Sequence, residues 1–515
     1  MVSVFVRSPV VYVVCGALGS YYGLAALSPG GGLGVPGIRG GALAACALIA
    51  LFRVLADSPG CFFPDPRFRY YFRKTCRYVT ALAAGFFLGL AVQAINAASQ
   101  LRLGLPGETV RGITGTLLDD PRAFSDGRGM GYIRVSGAVG EGGVRTSARG
   151  RLLVFFPAGS IPRLKEFGRA APVYVEGSFT VFADNQGRAF SAGPAPFRAK
   201  AVYLLGTAPP VEQLRTRIRM EVLDTFSGAS WGGLASALIL GVKDDLDSAV
   251  SELFRVAGCS HVLALSGMHL AIVSALVAFL LKKPLGLRPA AVAGAFFILL
   301  YVYVVGPQPS LVRAAIMYLL GTAAILGAFP RQPLPLLGLA FLIQIVLDPP
   351  SGKTLSFILS YLALGGILIT GEAFHDLFRG KLPEAAGQPL AASLGAFIAT
   401  AAVSVAAFGV LWPGGIAAGL VIVPLSTLFM ILAIAFLGVS FLLPPLAGLL
   451  AGPLALALSG LYELLGAAAS LASWIPGISG VSPALVGVLS LVLALGIPYI
   501  QARYARWREK IAPLD

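Results

Sequence analysis

Charged residues are scarce in this sequence, and their scarcity sets the class of protein. Asp, Glu, Lys and Arg make up 12% of the 515 residues, whereas hydrophobic residues make up 57% and the mean hydropathy is +0.81. A soluble domain carries roughly a quarter charged residues, so this chain cannot cover its apolar surface with polar groups. The composition excludes disordered, collagen-like and disulfide-scaffold classes, and it predicts a polytopic α-helical membrane protein.

Groups that serve catalysis and metal binding are also few. The five cysteines include no CxxC pair, and His261 and His269 have no set of acidic or thiol ligands at metal-binding spacing, so we expect neither metal nor cofactor. Ser266 and His269 lack a carboxylate in their segment that could orient the histidine for hydrolysis. No GxxxxGK[ST] segment occurs, which excludes an ATP-binding P-loop. We therefore expect that the chain is not an enzyme.

Apolar runs of about 20 residues, enough to cross a bilayer, occur along most of the chain. The predicted spans are 9–27, 40–57, 78–98, 260–281, 289–306, 309–329, 333–348, 354–371, 389–411, 413–440, 445–469 and 481–500. The first is interpreted as a retained span rather than a cleaved signal peptide. The basic run RFRYYFRKTCR, interpreted as a loop between the second and third spans, lies in the cytoplasm by the positive-inside rule. About twelve spans with both termini cytoplasmic fit the basic clusters.

Residues 105–206 differ from the rest of the chain. Five runs alternate apolar and polar residues and are separated by glycine-containing turns: TVRGITGTLL, GYIRVSGAV, RGRLLVFFP, APVYVEGSFTVF and FRAKAVYLL. This pattern predicts a small β-barrel or sandwich, and five or six strands in about 100 residues favour an OB-type barrel. Because the third span leads out of the cytoplasm, we expect this inserted domain on the extracytoplasmic side.

The same segment has the composition of a nucleic-acid-binding surface. It contains thirteen Lys or Arg and eight Asp or Glu, with aromatic residues between them. OB folds bind single strands through basic grooves and aromatic platforms. The candidate contacts are Arg134, Arg149, Arg151, Tyr132 and Tyr174. The aromatic residues are equally consistent with the core of the barrel, so both interpretations stay open.

Two amphipathic helices are expected after the β segment. Residues 211–227 are basic, as in helices that lie at lipid headgroups, and Arg215, Arg217 and Arg219 are expected to contact anionic lipid or to guide phosphates. A short helix and a turn are expected next, followed by a second amphipathic helix that starts near Asp244 or Asp245, because carboxylates stabilise a helix N-terminus.

Polar side chains within predicted spans are costly and usually face protein or water. The segment FRVAGCSHVLALSGMHLAIV contains His261, Ser266, Gly267 and His269. On one helix, at about 100° per residue, Ser266 and His269 lie one turn apart and His261 lies near the same face. These groups either bind neighbouring helices or line a polar path.

A second polar group follows a break at GPQP. Ser310 is expected to cap a new helix that carries Arg313, whose insertion costs roughly 2.5–3.5 kcal/mol. Arg313 either snorkels from the helix end or lines a polar passage and attracts an anion. Further along, Ser356 and Ser360 lie one turn apart, as in helix–helix hydrogen bonding, and Pro424 is expected to kink its span.

Taken together, these motifs resemble the ComEC family of competence proteins. FRVAGCSHVLALSGMHL is similar to G-x-x-H-L-L-A-I-S-G-L-H, and GPQPSLVRAAIM is similar to P-S-x-x-R-A. ALILGVKDDL resembles L-x-x-G-x-x-x-x-L, and LSFILSYLALGGI resembles F-x-L-S-F-x-A-x-x-G, in the same order across residues 230–430. Members carry an OB-like domain after their first spans. The matching positions here are Gly258, His261, Ser266, Gly267, His269, Ser310, Arg313, Ala314, Ser356 and Pro424.

The resemblance implies a channel in the bacterial inner membrane that carries single-stranded DNA into the cytoplasm during natural transformation. Its implied partners are single-stranded DNA, membrane lipid and a cytosolic helicase motor. Two features depart from the family: no H-x-H-x-D-H cluster is present, so a separate nuclease or DNA receptor is expected, and Gly419 stands where an asparagine is frequent. Whether the chain forms an oligomer stays open.

Two other functions compete with a DNA channel. A secondary transporter or exporter of a small anionic solute would also use Arg313 and buried histidines. A structural membrane protein without a conduit would tolerate the loss of charge at Arg313 and Lys353. The expected regions are a three-span region at 1–100, the OB-like domain at 105–206, surface helices at 207–257, a channel domain at 258–500 and a basic cytoplasmic tail at 501–515.

Overall fold

The computed structural model describes residues 9–23, 66–98, 101–124, 126–179, 196–442, 444–494 and 496–497. It divides into two compact units. The first comprises the described residues up to Glu221 together with Leu342–Pro350, and the second comprises Val222–Phe341 and the described residues from Ser351 onward.

The first unit begins with two packed helices, α1 at Pro9–Leu18 and α2 at Pro66–Ala98. They approach so closely that a Cβ on Gly85 would overlap the backbone of Val13, as small residues allow between membrane helices. The predicted span 9–27 is described only as far as residue 23.

Two predictions for this region need comment. The span expected at 40–57 lies outside the described residues. The segment 67–77 was predicted to be a loop, and this prediction is wrong, because the segment forms the start of α2. No Gly or Pro follows Pro66 until Gly85, and proline fits the first turn of a helix. Basic charge decides on which side of a membrane a segment lies, but it does not break a helix.

The β segment forms the strands that the alternation predicts. They are β1 Arg102–Leu103, β2 Val110–Leu117, β3 Arg122–Ala123, β4 Gly129–Gly140, β5 Arg145–Phe156, β6 Pro172–Phe179 and β7 Phe197–Leu204. A short helix, α3 at Ile161–Phe167, lies between β5 and β6 in the chain. Along β4, Ile133 and Val135 are buried while Tyr132 and Arg134 are exposed, which is the two-residue period of a half-buried strand.

The strand pairings return to their starting point. Strand β2 pairs with β4 and with β6, β6 pairs with β7, and β7 pairs with β5. The β5–β4 pairing then completes the cycle. Within this cycle of described strands, the β5–β7 pairing is the parallel one. The small strands β1 and β3 add to β5 and β4 at the margins. The core between the strands includes Ile113, Ile133, Leu152, Val173 and Phe197.

Three helices follow the β segment: α4 Pro210–Phe226, α5 Gly232–Leu240 and α6 Ser248–Val256. Helix α4 matches the predicted amphipathic segment. The start that we predicted for α6 at Asp244 or Asp245 is wrong by three residues or more. Asp247 is the N-cap, and its side chain accepts the Ala249 N–H at 2.8 Å, because an N-cap carboxylate must lie two or three residues before the N–H that it satisfies.

The second unit consists mainly of apolar helices. They are α7 Gly267–Leu285, α8 Leu287–Val305, α9 Pro309–Leu326, α10 Pro333–Leu347 (which ends in the first unit), α11 Leu355–Gly366, α12 Glu372–Phe378, α13 Glu384–Phe408, α14 Gly414–Leu442, α15 Pro444–Ala472 and α16 Pro483–Ala494. A π-helical turn at Ile367–Gly371 joins α11 to α12.

Seven helices in the described residues are long and apolar enough to cross a membrane, and Thr80–Asn96, Pro333–Leu347 and Pro483–Ala494 are shorter apolar helices. The chain is a multi-pass membrane protein. Each span predicted from residue 260 onward corresponds to an apolar helix. The total of twelve stays a prediction.

The start of the fourth predicted span needs a correction. It was expected at residue 260, but α7 begins at Gly267, and residues 259–266 form turns. Gly258 has a φ of +73°, which ends the preceding helical segment, because a left-handed glycine is a common helix terminator. His261 therefore does not share a helical face with His269.

Candidate functional site

The candidate site begins at the first turn of α7. Ser266 is the N-cap of α7, and its Oγ accepts the Met268 N–H at 3.3 Å. The Ser266 N–H in turn donates to Nδ1 of His269 at 3.0 Å. This reciprocal pair is a capping box in which histidine takes the place of the usual Glu or Gln. It fixes where the helix starts and how the imidazole is oriented.

His269 retains an unused polar atom. The side chain is fully buried, and its Nε2 has no hydrogen-bond partner among the described residues. Because Nδ1 accepts a backbone N–H, the neutral ring carries its proton on Nε2. His269 therefore presents a buried N–H donor in the first turn of α7.

The start of α9 is tied to the segment that precedes α7. Ser310 Oγ donates to the Leu265 carbonyl at 2.5 Å. Ser310 was predicted to cap α9, and that prediction is wrong, because Gln308 is the N-cap and Pro309 occupies the first helical position. Proline is preferred there since its fixed φ suits the first turn. Ser310 is consequently available to hold two helix starts together.

Arg313 lies beside this junction. Arg313 is 8% exposed, and its Nη1 donates to the Ser360 carbonyl of α11 at 2.6 Å. The guanidinium carbon lies 5.8 Å from the ring centroid of Tyr361, within the range of a cation–π contact. Nε has no partner in the described part of the chain. Arg313 is thus a buried cation with a single hydrogen bond to the described residues.

Gly267 allows Arg313 to reach α7. A Cβ built on Gly267 would lie 3.1 Å from Nη2 of Arg313 and 3.4 Å from the Cβ of Ala314. A side chain here would press on the guanidinium, so the glycine permits close approach of the two helix starts. Gly267, Arg313 and Ala314, which come from two separate motifs, are therefore brought together.

The remaining predicted positions lie at different distances from this junction. Pro424 is inside α14, and three residues later the Thr427 hydroxyl contacts the Met268 sulfur at 3.8 Å, so α14 reaches the first turn of α7 there. Gly258 approaches Gly415 so closely that a Cβ on Gly258 would lie 3.0 Å from the Cα and 3.1 Å from the N of Gly415. His261 and Ser356 are exposed, and the structure does not place them in the junction.

The candidate nucleic-acid contacts of the β segment divide into two places. On β4 and β5, Arg134 is the cross-strand partner of Arg151, and the guanidinium carbon of Arg151 lies 5.8 Å from the Tyr132 ring centroid. Arg149 lies two residues before Arg151 on β5 and is paired in register with Arg102 of β1. Arg151 also forms an ion pair with Asp348 at 3.2 Å. These side chains form a basic outer surface, which we call the β4–β5 face.

Tyr174 is not part of that face. It lies on β6 and stacks on Tyr203 of β7, with ring centroids 6.0 Å apart and an interplanar angle of 26°. Tyr203 is about half exposed. Tyr203 was not predicted as a contact from the sequence, although its register opposite Tyr174 follows once the two strands are known to pair.

The basic helix α4 is oriented differently from our expectation. Arg215 and Arg219 are buried and both pair with Asp120, at 2.7 Å and 3.3 Å. The prediction that they contact lipid or guide phosphates is therefore wrong, and only Arg217 of the three is exposed. The reason is Asp120, a partly buried carboxylate that is stabilised by cationic partners.

The pairing with Arg215 and Arg219 changes the pKa of Asp120. Burial alone would raise the pKa of this carboxyl, but the hydrogen bond from Arg215 and the charges of Arg219 and Arg215 outweigh burial, so the pKa lies below its ordinary value. The ionised form is thus favoured in the folded protein.

Among the described residues, no group of three His, Cys, Asp or Glu side chains could hold a metal ion.

Comparison with known proteins bears on residues 238–503. This segment, a little more than half of the chain, matches the family model described as "Competence protein". A curated relative, ComE operon protein 3 of Bacillus subtilis (strain 168), is 24% identical over 146 residues, which are 28% of this chain and 19% of the relative. The alignment thus spans about a fifth of the relative's length. No solved structure gives a significant match. The matched segment contains α7, α9 and α11, which meet around Arg313, and α14, which reaches the first turn of α7. The chain belongs to the competence protein family.

Proposed function

We propose that this protein is a channel of the bacterial inner membrane that carries single-stranded DNA into the cytoplasm during natural transformation. Membership of the competence protein family supports a role in DNA uptake. The observation that carries the proposal is the buried Arg313 junction, where the starts of α7 and α9 meet α11. A strand with one negative charge per nucleotide cannot enter hydrocarbon, so it requires a route lined by protein groups.

The β segment is, in this proposal, an OB-type barrel that receives the strand outside the membrane. The cyclic pairing of five strands with one parallel pair, and a helix between β5 and β6, support this assignment. In OB folds the second and third barrel strands form the binding face, and these correspond to β4 and β5. The β4–β5 face carries Tyr132, Arg134, Arg149 and Arg151. Base stacking on an aromatic ring contributes about 1–3 kcal/mol per base.

The proposed topology has about twelve spans, with both termini in the cytoplasm and the barrel outside. The proposed regions are those expected from the sequence: 1–100, 105–206, 207–257, 258–500 and 501–515. Because no P-loop motif occurs, the proposal assigns no ATP hydrolysis or other catalytic step to the chain. A cytosolic helicase would pull the strand, and a separate nuclease or DNA receptor would supply it.

Cells that take up fluorescent duplex DNA provide the test. A strain lacking this chain is compared with strains complemented by the wild type, by Arg313→Gln or by Arg331→Gln, an exposed arginine in a loop. We expect the deletion strain to retain DNA at its surface without entry, and wild type and Arg331→Gln to restore entry. Equal cytoplasmic entry with and without the chain, in a host that transforms, would contradict the proposal.

A transporter or exporter of a small anionic solute is the second candidate, because a buried, singly hydrogen-bonded arginine also suits a small anion. It predicts saturable flux of a small anion into vesicles that contain the purified chain, dependent on Arg313. It assigns no role to the β4–β5 face, so replacing Arg134 and Arg149 by Gln would leave that flux unchanged. Loss of DNA entry in the same double variant would favour the channel.

A further inference from the structure

Arg313 is a buried cation, and the described residues supply no anion that compensates its charge. One of its groups, Nη1, donates to a carbonyl oxygen, and Nε donates to no described residue. Within the described ranges no carboxylate lies at ion-pair distance from it, in contrast to Arg215, which pairs with Asp120. Buried charges are normally paired or bound to a counter-ion. The ring of Tyr361 offsets only part of the charge.

Two helix N-termini add positive potential at the same place. Arg313 Nη2 lies against Gly267, the first residue of α7, and Arg313 itself lies in the second turn of α9. The Ser310–Leu265 hydrogen bond fixes these two helix starts to each other. A helix N-terminus carries the equivalent of about +0.5 charge. The Met268 N–H of α7 is already bound to Ser266 Oγ, and Pro309 of α9 has no N–H, so these helix starts contribute mainly their positive potential.

We propose that Arg313 and the first turns of α7 and α9 form a binding site for one phosphate group. The inference rests on the proposed function, because the phosphate would belong to the passing DNA strand. The positive ends of the two helices favour an anion between them, and a guanidinium matches the spacing of two phosphate oxygens. His269 contributes a further buried N–H in the first turn of α7. The site would hold the strand by its backbone and would be indifferent to base sequence.

The test measures thermal unfolding of the full-length protein in neutral detergent with increasing amounts of the dinucleotide pTpT. Ionic strength is kept constant with chloride. A ligand that binds only the folded state raises the melting temperature in a saturable way. We expect such a rise for the wild type, and an apparent affinity about 10- to 100-fold weaker for Arg313→Gln, as the loss of a charged hydrogen-bond donor implies. Arg331→Gln, at an exposed loop position, serves as the matched control and should behave as wild type.

Two further variants keep the test informative if Arg313→Gln folds poorly. Arg313→Lys retains the charge and loses the planar fork, so an intermediate affinity is expected. Gly267→Ala retains Arg313, but its methyl group would lie 3.1 Å from Nη2 and should weaken pTpT binding without lowering the unliganded melting temperature. The uncharged methylphosphonate analogue of TpT should produce no shift. Equal shifts in wild type and Arg313→Gln, or an equal shift with the methylphosphonate, would overturn the site.

A lipid headgroup is the other source of phosphate. The same titration is repeated in nanodiscs of phosphatidylcholine and of phosphatidylglycerol. Stabilisation by phosphatidylglycerol that depends on Arg313, and from which pTpT does not displace the lipid, would overturn the assignment to nucleic acid.

The phosphate site and the proposed function can be refuted separately. If the deletion strain still takes up DNA while pTpT stabilises the wild type through Arg313, the function is wrong. If deletion abolishes uptake but pTpT has no Arg313-dependent effect, the phosphate site is wrong.

Discussion

The ion pair between α4 and the β segment gives a prediction that depends on burial. Asp120 accepts two hydrogen bonds from Arg215, at 2.7 Å and 3.1 Å, and lies 3.3 Å from Nε of Arg219. The side chain of Arg215 is 1% exposed and that of Asp120 is 22% exposed. Removing one partner of a buried pair costs about 3–5 kcal/mol, because the other charge is left without its partner in a poorly solvated place.

We predict that Asp120→Asn destabilises the β segment by this amount. Hydrogen exchange in the strands of the full-length protein in detergent should accelerate by roughly 150- to 5,000-fold, with much smaller changes in α14, a helix of the second unit. The matched control is Glu141→Gln, which breaks the pair with Arg111. Those side chains are 61% and 54% exposed, so the expected cost is about 0–1 kcal/mol. Equal effects of the two variants on strand exchange would refute the reasoning from burial.

Three further predictions concern pH, a helix junction and a turn. The pKa of Asp120 is depressed in the folded state. The stability that this carboxylate contributes is therefore present above the unfolded pKa of about 3.9 and is lost as the pH falls through the folded pKa. Hydrogen exchange in the strands should show this loss of stability in the wild type but not in Asp120→Asn. Ser310→Ala leaves the Leu265 carbonyl without its donor and should lower stability by about 1–3 kcal/mol in detergent unfolding assays, whereas Ser356→Ala, at an exposed position, should have little effect. Gly258→Ala places a Cβ at a φ of +73° and should cost at least about 1–2 kcal/mol, measured by the same unfolding; an unchanged midpoint would contradict the strain.

The strands and most apolar helices were predictable because their signals are local. In GYIRVSGAV the apolar residues Ile133 and Val135 alternate with polar neighbours, and this alternation predicts a strand with one buried face. Helix α9 follows from the proline and glycine break at GPQP and from the apolar run after it. Such patterns depend on a few neighbouring residues, which the sequence displays directly.

The exact start of α7 was not predictable from hydropathy. Residues 259–266 are as apolar as the helix that follows, so the run extends to residue 260 and carries His261 into the wrong element. The usable signal was Ser266, an N-cap residue three positions before His269. It was obscured because histidine replaces the Glu or Gln that normally completes a capping box.

The orientation of α4 required a contact that is distant in sequence. Arg215 and Asp120 are 95 residues apart, and a basic amphipathic pattern is the same whether its arginines face lipid or a buried carboxylate. The helix presents Val211, Leu214 and Ile218 at its exposed surface. Charge patterning therefore identified the helix, while only the fold shows which of its faces is buried.

Photocrosslinking during DNA uptake tests the channel most directly. A photoreactive residue replaces Ser356, an exposed motif position on α11, or Phe296, an exposed position on α8 outside the motifs. Cells take up labelled DNA and are irradiated before the strand is released. The account predicts a DNA adduct from position 356, absent from position 296 and absent when surface-bound DNA is prevented from entering. Uptake that proceeds with no adduct at position 356, or with equal adducts at both positions, would contradict a DNA path along these helices.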